Sequence, residues 1–197
     1  MEEKIVYFER AGAENTAAVI ALVKAHAAGS GINKIVLAST RGETAKAFAE
    51  AVRGTGIRLV VIPWQYGFAE LYEQGPQPFP EELVDQLRQS GHRVHFGTML
   101  FHSDNLYGNK TPGALANVLR VFGQGIKVCV EILMMAADGG CLSKGEKVIA
   151  VAGTRSGADT AVVATAAPSV ALADLRVHKI LCKPENWERA QPRSQTA

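Results

Sequence analysis

The sequence predicts a single α/β domain built on a mainly parallel sheet. Three observations point there. Short runs rich in β-branched residues, such as Ile35–Ala38, Arg58–Ile62 and Val148–Ala152, alternate with segments of helical composition. Hydrophobic residues make up 47% of the 197, enough for one sizeable core. The segments after two of these strands are rich in glycine, serine and threonine, and parallel sheets bind ligands beyond the carboxyl ends of their strands.

The elements follow in order. Lys4–Phe8 reads as a short strand, and Glu9–Asn15, with Gly12, as a turn. Asn15 or Thr16 can cap a helix running to about Ala28, which Gly29-Ser30-Gly31 ends. Ile35–Ala38 is a buried strand, followed by the loop Ser39–Ala45 and a helix to Val52. Arg58–Ile62 is the next strand, and Pro63 ends it. Trp64–Pro80 is irregular; its aromatics Trp64, Tyr66, Phe68, Tyr72 and Phe79 suit either a wall for a flat ligand or anchors of the loop on the core. Glu81–Ser90 has the spacing of an amphipathic helix, and Arg93–Phe96 that of a strand.

Gly97–Thr111 is a second irregular stretch. It places His102 two residues from Asp104, a pairing common by chance in polar loops and therefore weak support for acid–base chemistry. Thr111 as N-cap and Pro112 start a helix to Phe122. Gly123-Gln124-Gly125 breaks the chain before the nearly all-apolar helix Ile126–Ala137. That helix fits either a wholly internal position or partial burial in a homo-oligomer interface. Its Glu131 needs a partner if buried: Lys127, four residues earlier, is the structural candidate, and a ligand or a substrate-facing loop the functional one. Val148–Ala152 and Ala161–Ala166 read as strands joined by a glycine-rich loop, Val177–Cys182 as the last strand, and Pro184–Ala197 as a polar stretch that frays.

Composition excludes several function classes. The formal net charge is +2 with no long basic run, so nucleic acid is not an expected partner. The three cysteines form no CxxC pair, so neither a zinc site nor a disulfide framework is expected. The P-loop, GxGxxG, GxSxG and HExxH patterns are absent. The N-terminal MEEKIVYFERAG lacks the order of a signal peptide, and no apolar run reaches membrane-spanning length. A soluble cytoplasmic protein without a membrane partner is the expectation.

Two loops carry the candidate chemistry. In Ser39-Thr40-Arg41-Gly42-Glu43-Thr44, a strand leads into a helix N-terminus, where N–H groups and the helix dipole converge. Three hydroxyls and Arg41 add donors and charge; a plain N-cap from Ser39 or Thr40 is the simpler alternative, and Glu43 competes for the same N–H groups. In Gly153-Thr154-Arg155-Ser156-Gly157-Ala158-Asp159-Thr160, two glycines allow close backbone approach to an oxyanion, and hydroxyls and an arginine accompany them. The alternative there is an ordinary tight turn. Both loops follow strands, so one sheet edge can bring them to one ligand.

Four segments, Tyr7–Thr16, Val36–Ala45, Phe122–Gly140 and Val151–Val163, resemble a family of stand-alone pyruvate kinase α/β-domain proteins. STRGETA and GTRSGADTA are similar to the two phosphate loops of the pyruvate kinase C-terminal domain. The resemblance implies one domain over residues 1–183 and a tail over 184–197. It implies a three-layer α/β/α fold whose mostly parallel sheet has one antiparallel strand near the C-terminus, which suits Ala161–Ala166 because its loop is too short for a parallel crossover. It also implies a phosphorylated small-molecule ligand, flavin mononucleotide (FMN) in particular, since family members bind it. Ser39, Thr40, Arg41, Gly42 and Thr44 then hold the phosphate. Gly153, Thr154, Gly157, Asp159 and Thr160 line the other side, and Asn15 and Thr16 close the site. Arg41 and Glu43 depart from the pyruvate kinase pattern, which disfavours a sugar bisphosphate and suits a single phosphate. A non-catalytic module that senses a phosphorylated metabolite is the alternative function.

Overall fold

The computed structural model describes residues 3–72 and 74–187. The β-branched runs form seven strands: β1 (Val6–Arg10), β2 (Lys34–Ala38), β3 (Arg58–Ile62), β4 (Arg93–Val94), β5 (Lys147–Ala152), β6 (Thr160–Thr165) and β7 (Arg176–Asn186). They make one sheet in the order β1-β7-β6-β5-β2-β3-β4. β6 is antiparallel to both of its neighbours, β5 and β7; the remaining pairings are parallel. The turn from Ala152 to Thr160 is too short for a parallel crossover, which fixes that direction.

Among the described residues six α-helices intervene: α1 (Thr16–Ser30), α2 (Glu43–Ala51), α3 (Glu81–Gln89), α4 (Asp104–Tyr107), α5 (Thr111–Arg120) and α6 (Gln124–Asp138). Side chains alternate across a strand, so each central strand serves two cores. Ile35, Leu37, Leu59, Val61, Ile149 and Val151 pack against Val19 and Val23 of α1, Phe48 of α2 and Leu83 and Leu87 of α3. Their neighbours Val36, Val60, Ile62, Val148 and Ala150 pack on the other face against Cys129, Ile132, Leu133 and Ala136 of α6. Phe101 and Ala116 cover the outer side of α6 at Val130 and Met134. The apolar helix is thus internal, buried from Gly125 to Ala136 except at Val128.

Several elements differ from the sequence reading. β1 is Val6–Arg10 rather than Lys4–Phe8, Lys110 rather than Thr111 takes the N-cap position of α5, and α4 forms inside the stretch 97–111 that reads as irregular. α6 begins two residues early, because Gly123 takes the N-cap position at φ +132° and a Cβ on Gly125 would fall 2.0 Å from the Thr160 hydroxyl. The Gly123-Gln124-Gly125 motif therefore seats the first helical turn against β6 as well as breaking the chain. β4 is two residues long rather than four. β7 runs on through Asn186, where fraying was expected from Pro184. Beyond Cys182 that strand has β1 as its only partner among the described residues, with Phe8 opposite Pro184, so the missing proline N–H breaks no central ladder. The remainder of the expected tail, 188–197, lies outside the described residues, as does the side chain of Tyr72.

No helix among the described residues is long and apolar enough to cross a membrane. Cys129, Cys141 and Cys182 are buried thiols. Burial pushes Cys129 well above the usual thiol range and Cys182 up to about 12, so both are inert at neutral pH.

Candidate functional site

The chain leaves β2 toward β3 and β4 on one side, then returns to place β5 on the other side of β2. The boundary between β2 and β5 is a topological switch point, the place where open α/β sheets bind ligands. The loop after β2 and the loop after β5 flank it. Both line one cleft of about 480 Å3, whose walls include Ser39, Thr40, Arg41, Glu43 and Thr44 from the first loop and Gly153–Gly157 from the second.

Each loop is built by specific contacts. Ser39 is buried, and its Oγ accepts the Ala45 N–H of the first turn of α2 at 3.2 Å. Gly42 occupies the N-cap position at φ +96°, with no side-chain cap, and a Cβ there would fall 2.5 Å from Leu83. Its glycine is required by packing on α3. The Arg41 guanidinium is exposed and donates to Gln74 Oε1 at 2.8 Å, which ties this loop to the 64–80 segment. In the second loop, a Cβ on Gly153 would meet the Gly157 carbonyl at 2.4 Å, and one on Gly157 would meet Ala13 Cα at 2.4 Å. Gly157 also has φ +69°. The loop is folded tightly on itself and against the turn before α1.

Thr154 is the informative residue. Its backbone N–H donates to Asp159 Oδ2 at 2.9 Å. Its Oγ1 is buried and has no hydrogen-bond partner among the described residues, while the residue lines the cleft. A buried hydroxyl without a partner costs free energy, so native structures rarely keep one without a ligand or water to satisfy it.

The other expected site residues stand behind the cleft wall. Asp159 is fully buried; it accepts the N–H groups of Gly12 and Thr154 and the hydroxyl of Thr160. Thr160 is spent on Asp159 and on packing against Gly125. Thr16 Oγ1 accepts the Ala158 N–H at 3.0 Å, and Asn15 donates to the Arg10 and Gly12 carbonyls. Thr16, Asp159 and Thr160 therefore fix the shape of the second loop, and Asn15 that of the turn before α1; none of the four lines the cleft, and neither does Gly42.

Apolar residues supply much of the rest of the cleft. Ile62, Pro63, Trp64, Phe68, Met99 and Ile132 make one side apolar. Trp64 and Phe68 meet edge to face with centroids 5.2 Å apart, and Phe68 meets His102 at 5.1 Å. Trp64 and Phe68 are thus both loop anchors and cleft wall.

The lining also includes a buried charge pair. Lys127 and Glu131 face each other one turn apart on α6, with Nζ 2.6 Å from Oε2, at 1% and 3% side-chain exposure. Glu131 Oε1 accepts the Phe101 N–H at 2.8 Å and lies 3.2 Å from His102 Nδ1. Burial pushes the Glu131 carboxyl up, but the His102 bond and the Lys127 charge outweigh it and hold it below the usual carboxylate range. Burial lowers the Lys127 ammonium, and Glu131 restores part of the loss. His102 thus pairs with a residue 29 positions away. Its sequence neighbour Asp104 accepts the Gly113 N–H at 2.9 Å and secures the first turn of α5.

A scan of the sequence against protein-family models finds none that matches.

Proposed function

We propose that this protein binds a phosphorylated small molecule in the cleft between the Ser39–Thr44 and Gly153–Gly157 loops, with FMN as the ligand. The observation that carries this reading is the Thr154 hydroxyl, buried at the cleft without a partner, between two loops rich in hydroxyl and N–H donors. Ser39, Thr40, Arg41 and Thr44 on one side, and Thr154, Arg155 and Ser156 on the other, are the groups to hold the phosphate. Gly153 and Gly157 let the backbone close around it. Trp64, Phe68 and Met99 offer an apolar wall of the kind that accepts a flat ring. The cleft volume lies within the usual range for small-ligand sites. The resemblance of both loops to those of stand-alone pyruvate kinase α/β-domain proteins supports the same ligand, and a pyruvate kinase C-terminal-like fold is part of this proposal. Bound FMN supplies redox chemistry of its own.

The test is a titration of the purified protein with FMN, followed by visible absorbance and Trp fluorescence. Saturable binding is expected. A folded protein that shows no binding at high micromolar FMN refutes the flavin reading. Thermal stabilisation by other phosphate esters in that case identifies a non-catalytic module that senses a phosphorylated metabolite.

A further inference from the structure

The buried pair on α6 does more than fill the core. Lys127 Nζ holds Glu131 Oε2, and the Phe101 N–H holds Oε1, so neither oxygen of the carboxylate can turn away from its place. An ionised carboxylate only accepts hydrogen bonds. His102 Nδ1, 3.2 Å from Oε1, must therefore be the donor, which fixes the tautomer with the proton on Nδ1 and leaves Nε2 as an acceptor. The His102 side chain is 29% exposed and lines the cleft, with Phe68 against its ring. Nε2 has no partner among the described residues. A carboxylate that orients an imidazole at the wall of a ligand cleft is the arrangement of an acid–base site.

We infer that His102, positioned by Glu131, exchanges a proton with the end of the ligand that lies away from the phosphate loops. This rests on the phosphate-ligand reading above. The ligand class is a phosphate ester whose flat or carbonyl-bearing portion carries an N–H, an O–H or a carbonyl-activated C–H. The proton passes to Nε2, and the electron pair of the broken bond stays on the ligand. The Nδ1 proton remains in its bond to Glu131, and the imidazolium forms beside that carboxylate. Return of the proton reverses each change, and nothing is oxidised or reduced. Other charged groups at the cleft are Arg120 on α5, bonded to Gln124 and Asn117, Arg155 on the second loop, and Arg41 and Glu43 on the first.

Two measurements test the inference. Long-range 15N NMR of the ligand-free protein reads the His102 tautomer: Nδ1–H is expected, and Nε2–H overturns the assignment. Glu131→Gln is expected to shift that tautomer population toward Nε2–H. His102→Asn keeps a donor in the Nδ1 position and removes Nε2, so it reports on the second nitrogen even if Glu131→Gln fails to fold. FMN affinity is then measured over roughly pH 5 to 8, the range in which histidines exchange their proton. The phosphate's own second ionisation, near pH ~6, contributes equally in both proteins. A several-fold component of the pH dependence, present in the parent and lost in His102→Asn, is expected; superimposable profiles overturn the inference. If FMN does not bind, the flavin reading falls separately. The acid–base site then stands on the Nδ1–H tautomer together with modification of His102 Nε2 by diethyl pyrocarbonate, and falls if either is missing.

Discussion

The carboxylate of Asp159 accepts the backbone N–H of Gly12 at 3.2 Å, across 147 positions of the chain. The same oxygen accepts the Thr154 N–H at 2.9 Å, and the other accepts the Thr160 hydroxyl at 2.7 Å. One fully buried side chain thus joins the turn before α1 to the loop after β5. Replacing Asp159 with Ala leaves three donors without their acceptor, two of them in buried bonds. We expect Asp159→Ala to lose about 3–5 kcal/mol of stability in urea denaturation, in the range for breaking a buried charged hydrogen-bond cluster. An unchanged urea midpoint refutes this assignment.

Thr154 separates ligand binding from folding. Its Oγ1 has no partner among the described residues, so Thr154→Val removes no protein hydrogen bond and conserves shape. Stability is expected to stay level or rise by about 1 kcal/mol, because the desolvation cost of the hydroxyl disappears. FMN affinity is expected to fall about tenfold, the worth of one hydrogen bond to a charged group. Unchanged affinity excludes Thr154 from the phosphate site. Gly157 is the poorer probe. A side chain there strikes Ala13 and must hold φ near +69°, so Gly157→Asp perturbs the loop whether or not an anion sits beside it.

Both loops were legible in the sequence because their signals are local. A β-branched run followed by glycine and hydroxyl residues marks a strand end and a tight turn within ten positions. The direction of β6 was legible for the same reason, since the length of its loop decides it. The partners of Asp159, Thr16 and Asn15 were not. Apart from the Asp159–Thr160 bond, their side chains bond backbone N–H or C=O groups, and a backbone group carries no residue type to read. His102 was read beside Asp104, its neighbour in the chain; its partner is Glu131, brought to it by the packing of the Leu100–His102 turn on α6. The i,i+4 spacing of Lys127 and Glu131 was readable, but their place in the cleft wall depends on sheet order. The extension of β7 was hidden by polar composition, because an edge pairing with β1 needs little apolar surface.

The Lys127–Glu131 pair sets an acid limit on stability. The Glu131 carboxyl titrates below its usual value in the folded protein, so its contribution is complete above the unfolded-state value, about 4.3, and is lost as pH falls through the folded one. Stability is expected to decline below about pH 4 for this reason. Lys127→Met removes the partner from a carboxylate that is 3% exposed, and is expected to cost about 3–5 kcal/mol at neutral pH. Lys127→Met combined with Glu131→Leu removes both charges but leaves the buried Phe101 N–H without its acceptor, and is expected to recover part of that loss. Thermal denaturation of the two variants across pH checks the sign: the acid decline should shrink in the double variant.

Trp64 distinguishes a flavin from a simple phosphate ester. It belongs to the apolar lining of the cleft, meets Phe68 edge to face, and is away from both phosphate loops in sequence. Trp64→Leu keeps that wall apolar and removes the large flat surface. A ring stacked on an aromatic side chain gains about 1–3 kcal/mol, so FMN affinity is expected to fall by about 10–100-fold. A glycerol phosphate ester has no ring to lose, and its thermal stabilisation of the protein should be the same in parent and variant. Isothermal titration with FMN and a parallel melting series with glycerol phosphate give the comparison. Equal losses for the two ligands mean that Trp64 supports the cleft without touching a ring, and the flavin reading then loses its apolar half.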